Sequence, residues 1–123
     1  MGNEQARNIA AALNAIGEYW SPRRLTSIND YDVKLAKFFG EFVWHTHPDT
    51  DELFLVVDGT IIIQLRDQNV VLGPGDVYVV PRGVEHCPKA DTEASVLLFE
   101  PKGTINTGDA GGEMTAALKE LDR

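Results

Sequence analysis

Short runs of alternating or continuous apolar residues, separated by glycine- and proline-rich turns, fill the middle of this chain. From Leu25 onward the pattern is β. Val33 to Phe39 alternates imperfectly. Leu53–Val57 and Ile61–Ile63 are continuous apolar runs joined at Asp58-Gly59, a pair that favours a type I′ hairpin. Val70–Leu72 ends at Gly73-Pro74-Gly75, Val77–Val80 stops at Pro81-Arg82-Gly83, and Ala94–Glu100 is the last strand. Many short strands at regular spacing predict a sandwich or barrel. The two ends follow a helical period. Ile9, Leu13, Ile16 and Trp20 recur on one side of a helix expected over 4–17, with Asn3 as its N-cap. Met114, Ala117, Leu118 and Leu121 do the same for a second helix expected over about 113–122.

Several strands are apolar on both faces. Leu53, Leu55 and Val57 share one side, while Phe54 and Val56 lie with Glu52 on the other. A small barrel has one interior, so the outer apolar face needs a cover: the terminal helices, another sheet layer or a second subunit. A homodimer is the simplest cover.

The chain has 123 residues, which predicts one domain, and its 43% hydrophobic content supports a core without disulfides. The single Cys87 has no internal partner and fits a reducing compartment. A net charge of −8 argues against nucleic acid and anionic membrane surfaces as partners. Residues 1–20 lack the apolar stretch of a signal peptide, and no run approaches membrane-spanning length, so the expected location is the cytoplasm.

All 3 histidines fall in one pattern, His45-Thr46-His47, Glu52, then His86. Imidazole is the commonest transition-metal ligand, and a carboxylate is its usual partner for Fe, Mn, Ni or Zn. The i, i+2 spacing of His45 and His47 points both rings to one face of a strand. Glu52 follows after a short loop, and His86 closes the set if the chain folds back.

The block Gly40-Glu-Phe-Val-Trp-His45-Thr-His47-Pro-Asp-Thr-Asp-Glu52-Leu-Phe-Leu-Val-Val-Asp-Gly59 and the block Gly75-Asp-Val-Tyr-Val-Val-Pro81-Arg-Gly83-Val-Glu-His86 together resemble the two signature motifs of the cupin superfamily. The resemblance spans roughly residues 40–90. It implies an all-β, jelly-roll cupin barrel with His45, His47, Glu52 and His86 as ligands of one divalent transition metal, Fe, Mn, Ni or Zn. Two positions depart from the motif. Four residues, not five, lie between Gly40 and His45, and Ala90 replaces the closing Asn. The tail from Pro101 to Asp109 resembles that of small bacterial cupins labelled mannose-6-phosphate-isomerase-like. It reads either as a connector covering the barrel edge or as a loop reaching a pocket with Asn106, Thr107 or Asp109.

Such a ligand set leaves positions for water or substrate. The expected function is a metal-dependent enzyme acting on a small oxygen-rich molecule, a sugar derivative or organic acid, by isomerase, lyase or dioxygenase chemistry. The alternative is a non-catalytic small-molecule-binding or sensing barrel. Candidates for a second catalytic group are Glu41 and Tyr78, then Glu85 and Asp51. Strand parity turns Glu85 and Cys87 away from the metal face, and Trp44 away from His45. Arg82 reads as a solvated turn residue.

Overall fold

The computed structural model describes residues 6–121. It contains one helix, α1 (Ile9–Asn14), and eight strands: β1 (Arg23–Ile28), β2 (Tyr31–Glu41), β3 (Glu52–Asp58), β4 (Ile61–Leu65), β5 (Asn69–Leu72), β6 (Val77–Val80), β7 (His86–Pro101) and β8 (Lys119–Glu120).

The 16-residue β7 organises the barrel. Its first part, His86–Lys89, pairs with β4, and its second part, Ser95–Phe99, pairs with β3. β2 runs antiparallel along most of β7's length. Two sheets therefore share β7 and β2: β5-β4-β7-β2, and β6-β3-β7-β2-β1-β8. Their inner faces enclose one aromatic and aliphatic core that includes Phe38, Phe42, Phe54, Ile61, Ile63, Val96 and Leu98. This is the all-β barrel that the strand pattern predicts.

Asp58-Gly59 does not close a hairpin. β3 and β4 do not pair with each other but with different parts of β7, and with β6 and β5 respectively, so the turn carries the chain from one part of β7 to the other. Gly59 adopts φ 79°, and a Cβ there would lie 2.8 Å from the Glu93 carbonyl oxygen and 2.9 Å from Ala94 Cα. The glycine thus serves close packing against β7 as well as a turn.

The N-terminal helix is shorter than its apolar spacing suggests. Asn8 caps it, its side chain accepting from the Ala11 N–H at 2.9 Å, and the helix ends before Gly17. Asn3 lies outside the described residues. Ala12 and Ile16 pack with Leu25 and Leu35, so α1 covers part of the outer sheet face.

The C-terminal helix expected over about 113–122 is absent from the described part of that segment. Met114 packs on the barrel core, while Leu121 enters the separate cluster under α1. A helix rises only ~1.5 Å per residue, against ~3.3 Å for extended chain, so the more extended path reaches both clusters. The backbone finds other partners. Asn106 Oδ1 accepts from the Ala116 N–H, Asn106 Nδ2 donates to the Met114 carbonyl, and Lys119–Glu120 pair in parallel with Arg23–Arg24.

Candidate metal centre

Backbone pairing brings the histidines together. His45 and His86 exchange N–H···O=C hydrogen bonds, both 3.0 Å, which is the geometry that sets two side chains side by side on one face. Their ring centroids are 4.2 Å apart. His47 joins from two residues on, its ring centroid 5.0 Å from that of His45, and its carbonyl accepts from the Gly83 N–H. Glu52 opens β3 with Phe54 and Val56 on the same buried face, as the alternation predicts.

All four side chains are buried, and one ligand atom from each lies within 4.8 Å of the others. Donors ~2.1 Å from one ion span up to about 4.2 Å, so the cluster needs only a small contraction to hold one. The tautomers suit a metal. His45 Nδ1 donates to the Val43 carbonyl at 2.8 Å and His86 Nδ1 to the Val84 carbonyl at 2.9 Å. A carbonyl only accepts, so the proton sits on Nδ1 and Nε2 carries a bare lone pair. His47 Nε2 and His86 Nε2 stand 3.2 and 3.4 Å from Glu52 Oε1. The approach lacks hydrogen-bond geometry, and all three atoms are buried without a hydrogen-bond partner. Four ligand atoms converging, three of them without a hydrogen-bond partner, fit a cation. Burial, then the neighbouring His86, pushes His45 down to about 4, so its ring is neutral at pH 7. Burial works to raise Glu52, and positive charge facing it at His47 and His86, from protonated rings or from a cation in their place, would hold its carboxyl below the usual range.

Two further charged residues enter the barrel, neither singled out by the motifs. Lys34 and Glu100 are each almost wholly buried, and Lys34 Nζ donates to Glu100 Oε1 at 2.9 Å and to the Thr104 carbonyl at 3.3 Å. Burial and the adjacent Glu52 charge push the Glu100 carboxyl well above the usual range. Glu100, Glu52 and His45 line one small cavity of ≈ 30 Å³, walled by aromatic rings including Phe38, Phe42 and Phe54. Parity was the available signal: Glu100 continues the inward series Val96, Leu98.

The tail after β7 folds back onto the histidine segment. Thr46 N–H donates to Asp109 Oδ1 at 2.8 Å, and Asp109 N–H donates to the Thr46 carbonyl at 3.1 Å. Thr107 is fully buried with its hydroxyl 2.6 Å from that of Thr115. Asn106 lines the cavity. The stretch is thus both a connector and a wall of the site.

The other candidates stand elsewhere. Glu41 is exposed and accepts from Gln64 Nε2 at 2.9 Å. β2 ends at Glu41, and from Phe42, which bonds Pro88, to His45, which pairs with His86, this strand takes three residues while the other takes two; the extra residue breaks the alternation that would have put Glu41 on the histidine face. Tyr78 sits opposite Phe54 and packs against the core without lining the cavity. Glu85 pairs with Arg66 at the surface, and Arg66 lies 3.8 Å over the Trp44 ring. Asp51 accepts from the Arg82 N–H and shapes the turn before His86. Cys87 is buried, its thiol pushed up to about 11 by burial and then by the Glu41 charge. No helix among the described residues is long and apolar enough to cross a membrane.

Residues 33–100 match the family model described as Cupin domain. The chain is 35% identical to protein YdbB of Bacillus subtilis over 78% of this chain and 86% of the relative. It is 33% identical to germin-like protein subfamily 1 member 7 of Arabidopsis thaliana, of which it spans 42%. Among solved structures, a cupin-2 domain containing protein from Shewanella frigidimarina superposes with a TM-score of 0.77 at 47% identity, covering 77% of this chain and 93% of the other. Protein NMB1881 from Neisseria meningitidis superposes with a TM-score of 0.74 at 29% identity, covering 80% and 100%.

Proposed function

The chain belongs to the cupin-domain family, and we propose that it is a metal-dependent enzyme holding one divalent transition metal, Fe, Mn, Ni or Zn, on His45, His47, Glu52 and His86. The observation that carries this reading is the convergence of four buried ligand atoms, three of them without hydrogen-bond partners. Three neutral imidazoles and one carboxylate leave a divalent ion with a net charge near +1. Such an ion supplies Lewis acidity to an oxygen-bearing ligand. The chain's own residues do the rest. The Val43 and Val84 carbonyls hold His45 and His86 in the ligating tautomer. Aromatic rings wall the cavity beside the cluster and lower its polarity.

The substrate class that suits this site is a small oxygen-rich molecule, a sugar derivative or organic acid, with isomerase, lyase or dioxygenase chemistry. His47→Ala tests the reading. It should keep the fold by circular dichroism while losing metal and turnover in a substrate screen. Full turnover by a metal-free His47→Ala variant overturns it. A homodimer belongs to the same proposal, since Val77 and Val79 on β6 are exposed large apolar side chains. Sedimentation at micromolar concentration should show a dimer, and a single monomeric species contradicts it.

A further inference from the structure

All four ligand side chains are buried, so a molecule from solvent has to pass a wall to reach them. The cavity beside them, ≈ 30 Å³, accommodates about one water. A sugar derivative or organic acid needs more room. Among the described residues, Trp20 alone lines both this cavity and an outer groove of ≈ 410 Å³, which runs between residues 18–21 and 113–117 and has the size of a small-molecule site. A second groove, ≈ 380 Å³, opens between the loop after His47 and the tail, and it shares no residue with the cavity. His47 meets that groove, yet its Nε2 is buried and stands 3.2 Å from Glu52. The way in from solvent therefore passes Trp20.

The Trp20 indole stands as a partition. It stacks on Phe38 and Phe42, with ring centroids 4.3 and 4.7 Å away, and Phe42 meets the His45 ring edge-on. One ring thus separates the indole from a metal ligand. The Trp20 backbone is left-handed, φ 57°, a conformation that a bulky side chain rarely adopts and that clusters at functional sites. Its N–H donates to the Lys37 carbonyl at 2.9 Å, and its Nε1 donates to the Phe39 carbonyl at 2.9 Å. Asn106 Nδ2 donates to the Trp20 carbonyl at 3.4 Å and to the Met114 carbonyl at 3.0 Å, which ties the tail across this point. Turning the indole outward breaks the Phe39 bond and the two ring contacts. The backbone bond to Lys37 stays, and the outer groove has room for the ring. We infer that Trp20 is the size-determining residue of the metal centre: its indole divides the cavity from the outer groove, and a molecule of sugar or organic-acid size enters from that groove only when the indole swings out.

This inference rests on the proposed metal site as the place of chemistry, and its test separates the two. All 3 histidines of the chain belong to the cluster, so a histidine reagent reports on access to it alone. Untagged, metal-free protein is treated with diethyl pyrocarbonate, which acylates a neutral imidazole, and the ultraviolet absorbance of the product is followed. The wild type should react slowly, and Trp20→Ala about 10-fold faster or more. Two variants control for general loosening. Ile16→Ala weakens the separate cluster under α1, and Ile105→Ala widens the second groove. Both should react at the wild-type rate. Rapid reaction of the wild type, no gain in Trp20→Ala, or an equal gain in either control overturns the inference. If Trp20→Ala does not fold, the milder Trp20→Phe decides: a rate above that of the wild type supports the partition, and an equal rate overturns it. Zinc added first should protect the histidines in the wild type and in Trp20→Ala. A failure of zinc to protect them overturns the metal reading and leaves the route past Trp20 standing.

Discussion

Adding one methyl group at Gly108 should loosen the candidate metal centre from outside it. A Cβ at this position would lie 2.1 Å from the Thr46 carbonyl oxygen, 3.0 Å from the Thr46 carbonyl carbon and 3.1 Å from His45 Cδ2. The first two atoms are backbone, so no rotamer change relieves the contact. Gly108 also has φ 53°, where a side chain costs roughly 1–2 kcal/mol. The variant escapes by releasing the tail from Thr46. That forfeits the two Thr46–Asp109 hydrogen bonds, one of them to a carboxylate, for roughly 3 kcal/mol in total. Gly111 is the control. It has φ 63° but nothing within 4 Å of its Cβ, so Gly111→Ala should cost only the backbone strain, roughly 1–2 kcal/mol. At roughly 3–5 °C per kcal/mol for a chain of this size, Gly108→Ala should lower the melting temperature by about 9–15 °C and Gly111→Ala by about 3–10 °C. Thr46 separates His45 from His47, so zinc affinity should also fall about 10–100-fold in Gly108→Ala alone. Equal melting temperatures and equal zinc affinities for the two variants would refute the reasoning.

Lys34→Met alone should destabilise the protein by about 3–5 kcal/mol in urea denaturation, because it strands Glu100, whereas Lys34→Met/Glu100→Leu should recover most of the loss. Equal losses in both would contradict that. Cys87, with its thiol at about 11 against an ordinary 9.0, should hold about 100-fold less thiolate near pH 8 than a free cysteine and react with a disulfide reagent only on unfolding. Rapid labelling of the native protein would argue against its burial. His45 titrates at about 4 in the fold against an ordinary 6.5, so between these values the unfolded chain binds more protons and acid removes stability. In the metal-free protein this amounts to up to about 3 kcal/mol lost from pH 7 to pH 4. The pH slope of unfolding free energy should be smaller in His45→Asn, and an unchanged slope would rule the effect out.

The barrel and its four-residue cluster were legible because each rests on local rules. Strand alternation put Glu52 on the buried face with Phe54 and Val56, and the i, i+2 spacing brought His45 and His47 together. What the sequence concealed depends on pairing between distant segments. Asp58-Gly59 has hairpin chemistry, yet the crowding that demands its glycine comes from Glu93 and Ala94. The segment 113–121 has helical spacing, but its apolar residues serve two separate clusters and its backbone pairs with β1 and Asn106. Glu41 shared parity with His45 in the sequence, but the extra residue between Phe42 and His45 broke it. Lys34 and Glu100 read as ordinary charged strand residues. Only the closed barrel shows that each is the other's partner inside it.

The most direct test of the metal reading is the metal content of untagged protein by inductively coupled plasma mass spectrometry, beside a His45→Ala/His86→Ala control. About one equivalent of a single transition metal in the wild type, lost in the control, is the predicted result. Little metal in either protein after reconstitution with Fe, Mn, Ni or Zn, or equal metal in both, would contradict it.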